Sequence, residues 1–419
     1  MKRYLLLNIF VLFNLAGAIA QLTIDDCYRM ARENYPLLKQ YDLVAKTRDY
    51  NVSNAGKGYL PQIKVTGKAS YQSEVTKIPV DVPGMDIPTL NKDQYMAQVV
   101  LEQVIWDGGA IASQKNISKS AAEVNEKQLD VDMYAIKERV NQLFFGILLL
   151  DAQLEQIDLY TKELERNYNK INSYISNGIA NQSDLDVIRV EMLKTEQQQS
   201  TILLTRKSYL EILSIFIGET LGEKTELTRP LVSDVILDAD ISSPELDLFS
   251  AKYRYLEEQK SLLNANYMPK IGLFTQGGYG RPALNMLKSD FRGFYIAGVN
   301  LTWNISNFYT KKNNFKLIDL NQEIVENQKE TFLFNKRMEL TQDRIAIEQQ
   351  RKLLQKDDEI IRLRGNVKNA AEAKLENGII TVSDLIKEVI AEDLARQDMI
   401  LHEIKYLQAV YKLKYTINN

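Results

Sequence analysis

The sequence predicts an α+β membrane protein made of two structural repeats, in which long helices alternate with amphipathic strands. Three observations carry this. Prolines are absent between Pro88 and Pro230 and after Pro282. Four segments alternate apolar and polar residues with a period of two. The landmarks of the first half recur, in the same order, in the second.

The proline-free tracts are where long helices can run, because proline inside a helix costs about 3 kcal/mol or more. In the first tract Ile136, Val140, Leu143, Ile147, Leu150, Leu154 and Ile157 step by four and three, and Leu164, Tyr168, Ile171 and Ile175 resume the phase. This is a heptad seam of the left-handed coiled-coil kind. In the second tract Leu333, Leu340, Ile347, Leu354 and Ile361 are spaced by seven. A continuous helix from Gly109 to Ser176 would be ~100 Å long. Shorter helices are expected over Ile24–Gly58 and Pro244–Tyr267, and returning helices over Ser183–Ile217 and Ser383–Ile417.

The strands lie between the helices. Ile63, Val65, Gly67, Ala69 and Tyr71 alternate with Lys64, Thr66, Lys68, Ser70 and Gln72. Tyr95, Ala97, Val99 and Leu101 mark a second strand, Ile271, Leu273 and Tyr279 a third, and Tyr295, Ala297, Val299, Leu301 and Trp303 a fourth. The links Lys77–Asp93 and Arg281–Arg292 are rich in loop-forming residues.

The repeat is explicit. Tyr95-x-Ala97-x-Val99-x-Leu101 returns as Tyr295-x-Ala297-x-Val299-x-Leu301. Asn177-Gly178-Ile179 with Ser183-Asp184-Leu185 returns as Asn377-Gly378-Ile379 with Ser383-Asp384-Leu385. Both pairs share an offset of 200 residues. Tyr59-Leu60-Pro61 returns as Tyr267-Met268-Pro269. The organisation is a signal peptide over 1–20, a first repeat over 21–217, an equatorial connector over 218–243 and a second repeat over 244–419. Each repeat reads helix, two strands, long helix, Asn-Gly tip turn and returning helix.

The signal rests on Lys2 and Arg3, the apolar run Tyr4 to Leu15 and the small-x-small site Ala18-Ile19-Ala20. No later segment approaches ~20 unbroken apolar residues, so a transmembrane helix is not expected. Cys27 is the only cysteine and reads as a small packed residue. With 26 % charged residues and a net charge of -3, there is no basic excess to recruit nucleic acid. Nor is there a catalytic set. His402 is the only histidine, no His/Cys cluster offers a zinc site, and Gly277-Gly278-Tyr279-Gly280 lacks the sequel of a phosphate loop. No cofactor is expected.

Four strands cannot close a membrane barrel, whose smallest form has about eight. They either lie on a soluble core with one wet face or combine with copies of themselves. Three copies would supply a twelve-stranded barrel. The polar residues Lys64, Thr66, Lys68, Gln72 and Glu74 would then face a wet lumen.

The chain resembles the TolC-like outer membrane efflux proteins. The resemblance rests on Leu22-Thr23-Ile24-x-x-Cys27 with Ala31 and Asn34-Tyr35-Pro36; on Tyr59-Leu60-Pro61; on Gln103-Val104-Ile105-Trp106-Asp107-Gly108-Gly109; and on the two Gly-x-x-x-x-Ser-Asp-Leu turns. It implies a homotrimer: a twelve-stranded β-barrel in outer membrane lipid, four strands per chain, continuing into a long α-helical coiled-coil barrel through the periplasm. It implies the passive exit duct of a tripartite efflux or type I secretion system. The partners would be a periplasmic adaptor (membrane fusion) protein and an inner-membrane pump of the RND or ABC type. By the same resemblance Asn177, Gly178, Ile179, Asn377, Gly378 and Ile379 are adaptor-docking tips. Asp184, Asp384 and Lys387 mark a possible periplasmic gate, although the two carboxylates also suit a helix N-terminus. The rival reading is a soluble periplasmic coiled-coil adaptor or structural protein, which would share the export signal and the heptads.

Overall fold

The computed structural model describes residues 22–76, 89–178, 180–231 and 241–418. The signal segment 1–20, most of the first strand link, the middle of the connector and Ile179 lie outside the described residues. The chain runs α1 (Ile24–Asn34), α2 (Leu38–Gly56), β1 (Gln62–Tyr71), β2 (Asp93–Trp106), α3 (Ala110–Tyr134), α4 (Ile136–Ser176), α5 (Gln182–Ile217), α6 (Pro244–Ala265), β3 (Lys270–Arg281), β4 (Arg292–Thr302), α7 (Phe308–Glu376) and α8 (Val382–Ile417). No helix among the described residues is long and apolar enough to cross a membrane.

Two expected helices are interrupted. Ile24–Gly58 divides at Tyr35-Pro36-Leu37, because a residue before proline is driven out of the helical region, and Tyr35 sits extended at φ −66° and ψ 127°. The first long helix divides at Ala135, which keeps near-helical angles (φ −61°, ψ −18°) but falls outside the regular ladder. The second tract, whose heptads are weaker, is the continuous one: α7 has 69 residues, ~100 Å of helix.

The chain forms two compact units, each drawing on both halves of the sequence. The first comprises Met1–Leu38, Asp132–Ser243 and Leu333–Asn419. Its core is the predicted seam of α4: Val140, Ile147, Ile157, Leu164 and Ile171 are buried, with Leu210 and Leu213 of α5 and Leu385, Val389 and Leu413 of α8. The motif Asn34-Tyr35-Pro36 finds its reason here. Asn34 Nδ2 donates to the carbonyls of Ile215 and Phe216 at 3.0 and 3.2 Å, capping the end of α5, and Tyr35 stacks on Phe216. Cys27 is fully buried, and burial pushes its thiol up to about 12. Part of the connector is tied down as well. Leu22 bridges to Leu227, and Arg206 donates to the carbonyls of Glu223 and Thr225.

The second unit comprises Lys39–Val131 and Pro244–Phe332 and holds the sheet. All four strands are antiparallel in the order β1-β2-β3-β4. The β2–β3 pairing joins the two halves of the chain. The exit from β2 explains the motif at 103–109. Gly108 and Gly109 adopt φ +71° and +90°, and the Asp107 carboxylate accepts from the amides of Gly109 and Ile111, capping α3. A side chain at Gly108 would also collide with Met268.

Candidate membrane-facing wall and helical tips

Outside the shift between Val104 and Trp106, register assigns the strand residues to faces. Val65 lies opposite Val99, Val99 opposite Gly277, and Gly277 opposite Tyr295. The neighbouring row of the same face is Ile63, Leu101, Thr275 and Ala297. This face is apolar over its middle, and it is bare: Ile63 is 69 %, Val65 75 %, Tyr295 79 % and Val299 67 % exposed. The opposite face carries Lys64, Thr66, Lys68, Gln98, Gln276 and Asn300. There Phe274 lies over Gly298 and Phe294 over Gly278, each ring occupying the space a Cβ would need. Among the described residues β1 and β4 each leave one edge unpaired.

The two tip turns share a build. At the first, the amides of Asn177 and Gly178 donate to the carbonyls of Ser173 and Ile175, with Gly178 at φ +73°. At the second, Asn377 and Gly378 bond to Ala373 and Leu375, with Gly378 at φ +71°. Each asparagine Nδ2 also donates to the carbonyl four residues earlier. The positive φ is the glycine's task, since other residues adopt it at a cost. Ile379 is 69 % exposed. Beneath the turns Ile171, Leu185, Ile188, Val382 and Ile386 form one core, so the two tips are packed side by side.

The acidic residue after each tip closes a capping box. Asp184 pairs with Asn181, and Asp384 with Thr381, each side chain and backbone amide bonding reciprocally. The Thr381 hydroxyl, then Lys387, hold the Asp384 carboxyl below its usual range. Lys387 Nζ lies 3.1 Å from Asp384. The Ser-Asp-Leu signature is thus a helix start plus a core leucine.

The sequence reading passed over a polar network in the same unit. Lys368 of α7 bridges Glu163 of α4 at 2.7 Å and Glu392 of α8 at 2.6 Å, and Arg396 also holds Glu392. Burial raises the Glu392 carboxyl, but the bonds from Lys368 and Arg396 outweigh it and hold it low. Asp393 accepts from Gln156 and Gln397 at 2.8 and 2.6 Å, and burial raises its carboxyl above the usual range. His402 has its Nδ1 2.8 Å from the buried Asp357. Asp343 and Asp357 recur three residues after the apolar heptad leucines 340 and 354. Reading both core positions of each heptad, rather than the apolar one alone, would have found them.

Residues 27–219 match the family described as outer membrane efflux protein. The match covers somewhat less than half of the chain. The remaining half carries the same landmarks in the same order, although the family match ends at 219. Solved outer membrane channels share the fold of this chain across both halves. The outer membrane protein VceC of Vibrio cholerae aligns with a TM-score of 0.71 at 10 % identity, covering 94 % of this chain and 96 % of VceC. The Campylobacter jejuni CmeC outer membrane channel gives 0.67 at 14 %, covering 94 % and 85 %. The open-state MtrE outer membrane channel of Neisseria gonorrhoeae gives 0.66 at 13 %, covering 94 % and 89 %. No curated protein matches this chain at the level of sequence.

Proposed function

We propose that three copies of this chain close a twelve-stranded barrel in the outer membrane and continue it as a helical tunnel, the passive exit duct of a tripartite efflux or type I secretion system. The observation that carries the reading is the bare apolar face of a four-stranded sheet with two unpaired edges. An open edge in lipid leaves backbone groups unsatisfied at several kcal/mol each. Pairing β4 of one copy with β1 of the next removes every edge and gives an even-numbered barrel. The apolar face then meets lipid and the lysine-bearing face lines the lumen. Tyr71, Tyr95, Tyr295 and Trp303 suit the two interfaces. A soluble adaptor would leave the same band in water, so that reading is not favoured. As a duct the chain performs no chemical step, and energy comes from its partners.

In this reading each chain contributes two repeats, 21–217 and 244–419, about an equatorial connector, 218–243. Three chains present six tips to a periplasmic adaptor (membrane fusion) protein coupled to an RND- or ABC-type pump. Asn177, Gly178, Ile179, Asn377, Gly378 and Ile379 form the docking ring, and the exposed Ile379 is the side chain that supports it. Asp184 and Asp384 serve first as helix caps. A narrowing of the periplasmic mouth by Asp384 would carry little net charge, because Lys387 accompanies it.

Native mass measurement on the detergent-solubilised protein tests the assembly. Three chains per particle are expected. A stable monomer in plain buffer would sink the barrel.

A further inference from the structure

The polar face of the sheet carries charge of one predominant sign. Seven charged side chains lie in the four strands: Lys64, Lys68, Asp93, Glu102, Lys270, Arg281 and Arg292. Asp93 and Arg281 stand in the rows of Tyr71 and Tyr95, on the apolar side, and pair with each other. Arg292 is met by Asp290 of the adjoining link at 3.1 Å. Lys64, Lys68, Lys270 and Glu102 remain, all on the polar face. None of these four has an ion-pair partner among the described residues. Three lysines against one glutamate leave an excess of two positive charges per chain. Apart from Arg292, which Asp290 neutralises, the rest of that face within the strands is neutral, and Glu74 lies beyond the end of β1 in the link.

We infer that the barrel lumen attracts anions, so that this stretch of the duct favours inorganic anions and small anionic organic solutes over cations. The inference rests on the reading that the polar face lines the lumen of a trimer. Three copies then place six uncompensated positive charges on one closed wall. Lysine and arginine rings confer anion preference on pores, and lumen residues of barrels set selectivity without governing insertion. The reach of such a wall depends on salt. The Debye length is ~8 Å at physiological ionic strength and ~30 Å at about 0.01 M. The preference therefore grows as salt falls.

The test uses the full-length protein in planar bilayers, with the zero-current potential read across a roughly tenfold potassium chloride gradient starting at about 0.01 M, where the wall field reaches furthest. Wild-type channels should give the sign of chloride preference. Lys64→Gln with Lys68→Gln removes two charges and should bring the potential close to zero. Lys64→Glu with Lys68→Glu turns the excess from two positive to two negative per chain and should reverse the sign. Wild-type channels that already prefer potassium, or a potential unchanged in the glutamate double variant, would overturn the inference and leave the duct standing. Wild-type protein that forms no channels at all would overturn the duct itself.

Discussion

At single positions, the tips and the buried carboxylates make the sharpest claims. Gly178 and Gly378 hold positive φ, yet an added Cβ at either meets nothing within 4 Å. Gly178→Asp with Gly378→Asp therefore faces backbone strain of roughly 1–2 kcal/mol per site and no collision. The trimer should fold and insert while export falls, because each chain now sets two charges in the docking ring. Export assays paired with adaptor crosslinking decide this; unchanged efflux with unchanged crosslinking removes the tips from docking. Asp393 predicts a pH effect. Its folded pKa is raised, so its contribution is complete below the unfolded value of about 3.8 and is lost as pH rises through the folded value. Asp384 and Glu392, held low, act in the opposite sense, and their contribution disappears on acidification. Asp393→Asn should remove the first trend alone, flattening the fall in stability as pH rises above about 3.8 while the loss on acidification persists. A curve identical to wild type would contradict the assignment.

Between elements, α7 and α8 meet through a seam that is partly polar, as the seam of α4 is at Asn141, Gln156 and Asn167. Asp343 accepts from Thr416 at 2.7 Å, and Asp357 faces His402. Removing one member of such a pair strands the other, a cost of about 1–3 kcal/mol, while replacing both with apolar groups can be nearly neutral. Asp357→Leu should thus destabilise, and Asp357→Leu with His402→Leu should recover most of the loss; additive losses in the double variant would show that the pair is not a unit. The same seam shows why sequence reading went only part of the way. The strands, the returning helices and the tip glycines were legible because period, proline and Asn-Gly each have a local cause. The break at Pro36 was legible too, from the residue before proline, but the helical pattern on both sides hid it. Polar core pairs such as Lys368 with Glu163 and Glu392 were not, since their partners lie about 205 and 24 residues away and only packing brings them together. The capping boxes at Asn181 and Thr381 were visible as spacing. They displace the gate as the first explanation of Asp184 and Asp384.

Over the whole molecule, the proposal turns on which face of the sheet meets lipid. Val299 is on the apolar face and Lys68 on the other. Val299→Arg should cost about 2–4 kcal/mol if it sits near the bilayer midplane and should lower the yield of heat-resistant trimer. Lys68→Glu should leave that yield unchanged. Silent Val299→Arg with insertion-defective Lys68→Glu would invert the faces.

The two compact units also bear on how the protein is made. The first needs residues near the beginning of the chain together with Leu333–Asn419, and the second takes segments from either side of α4 and α5. A chain emerging from its amino end cannot finish the first unit until α8 has arrived. Until then Phe145 and Leu164 of α4 lack their α8 neighbours Tyr411, Leu385 and Val389, and such exposed seams are prone to aggregate. Biogenesis should therefore depend on holding the whole polypeptide unfolded to its last helix. A truncation at Phe332 should yield aggregated or degraded chains rather than a folded half.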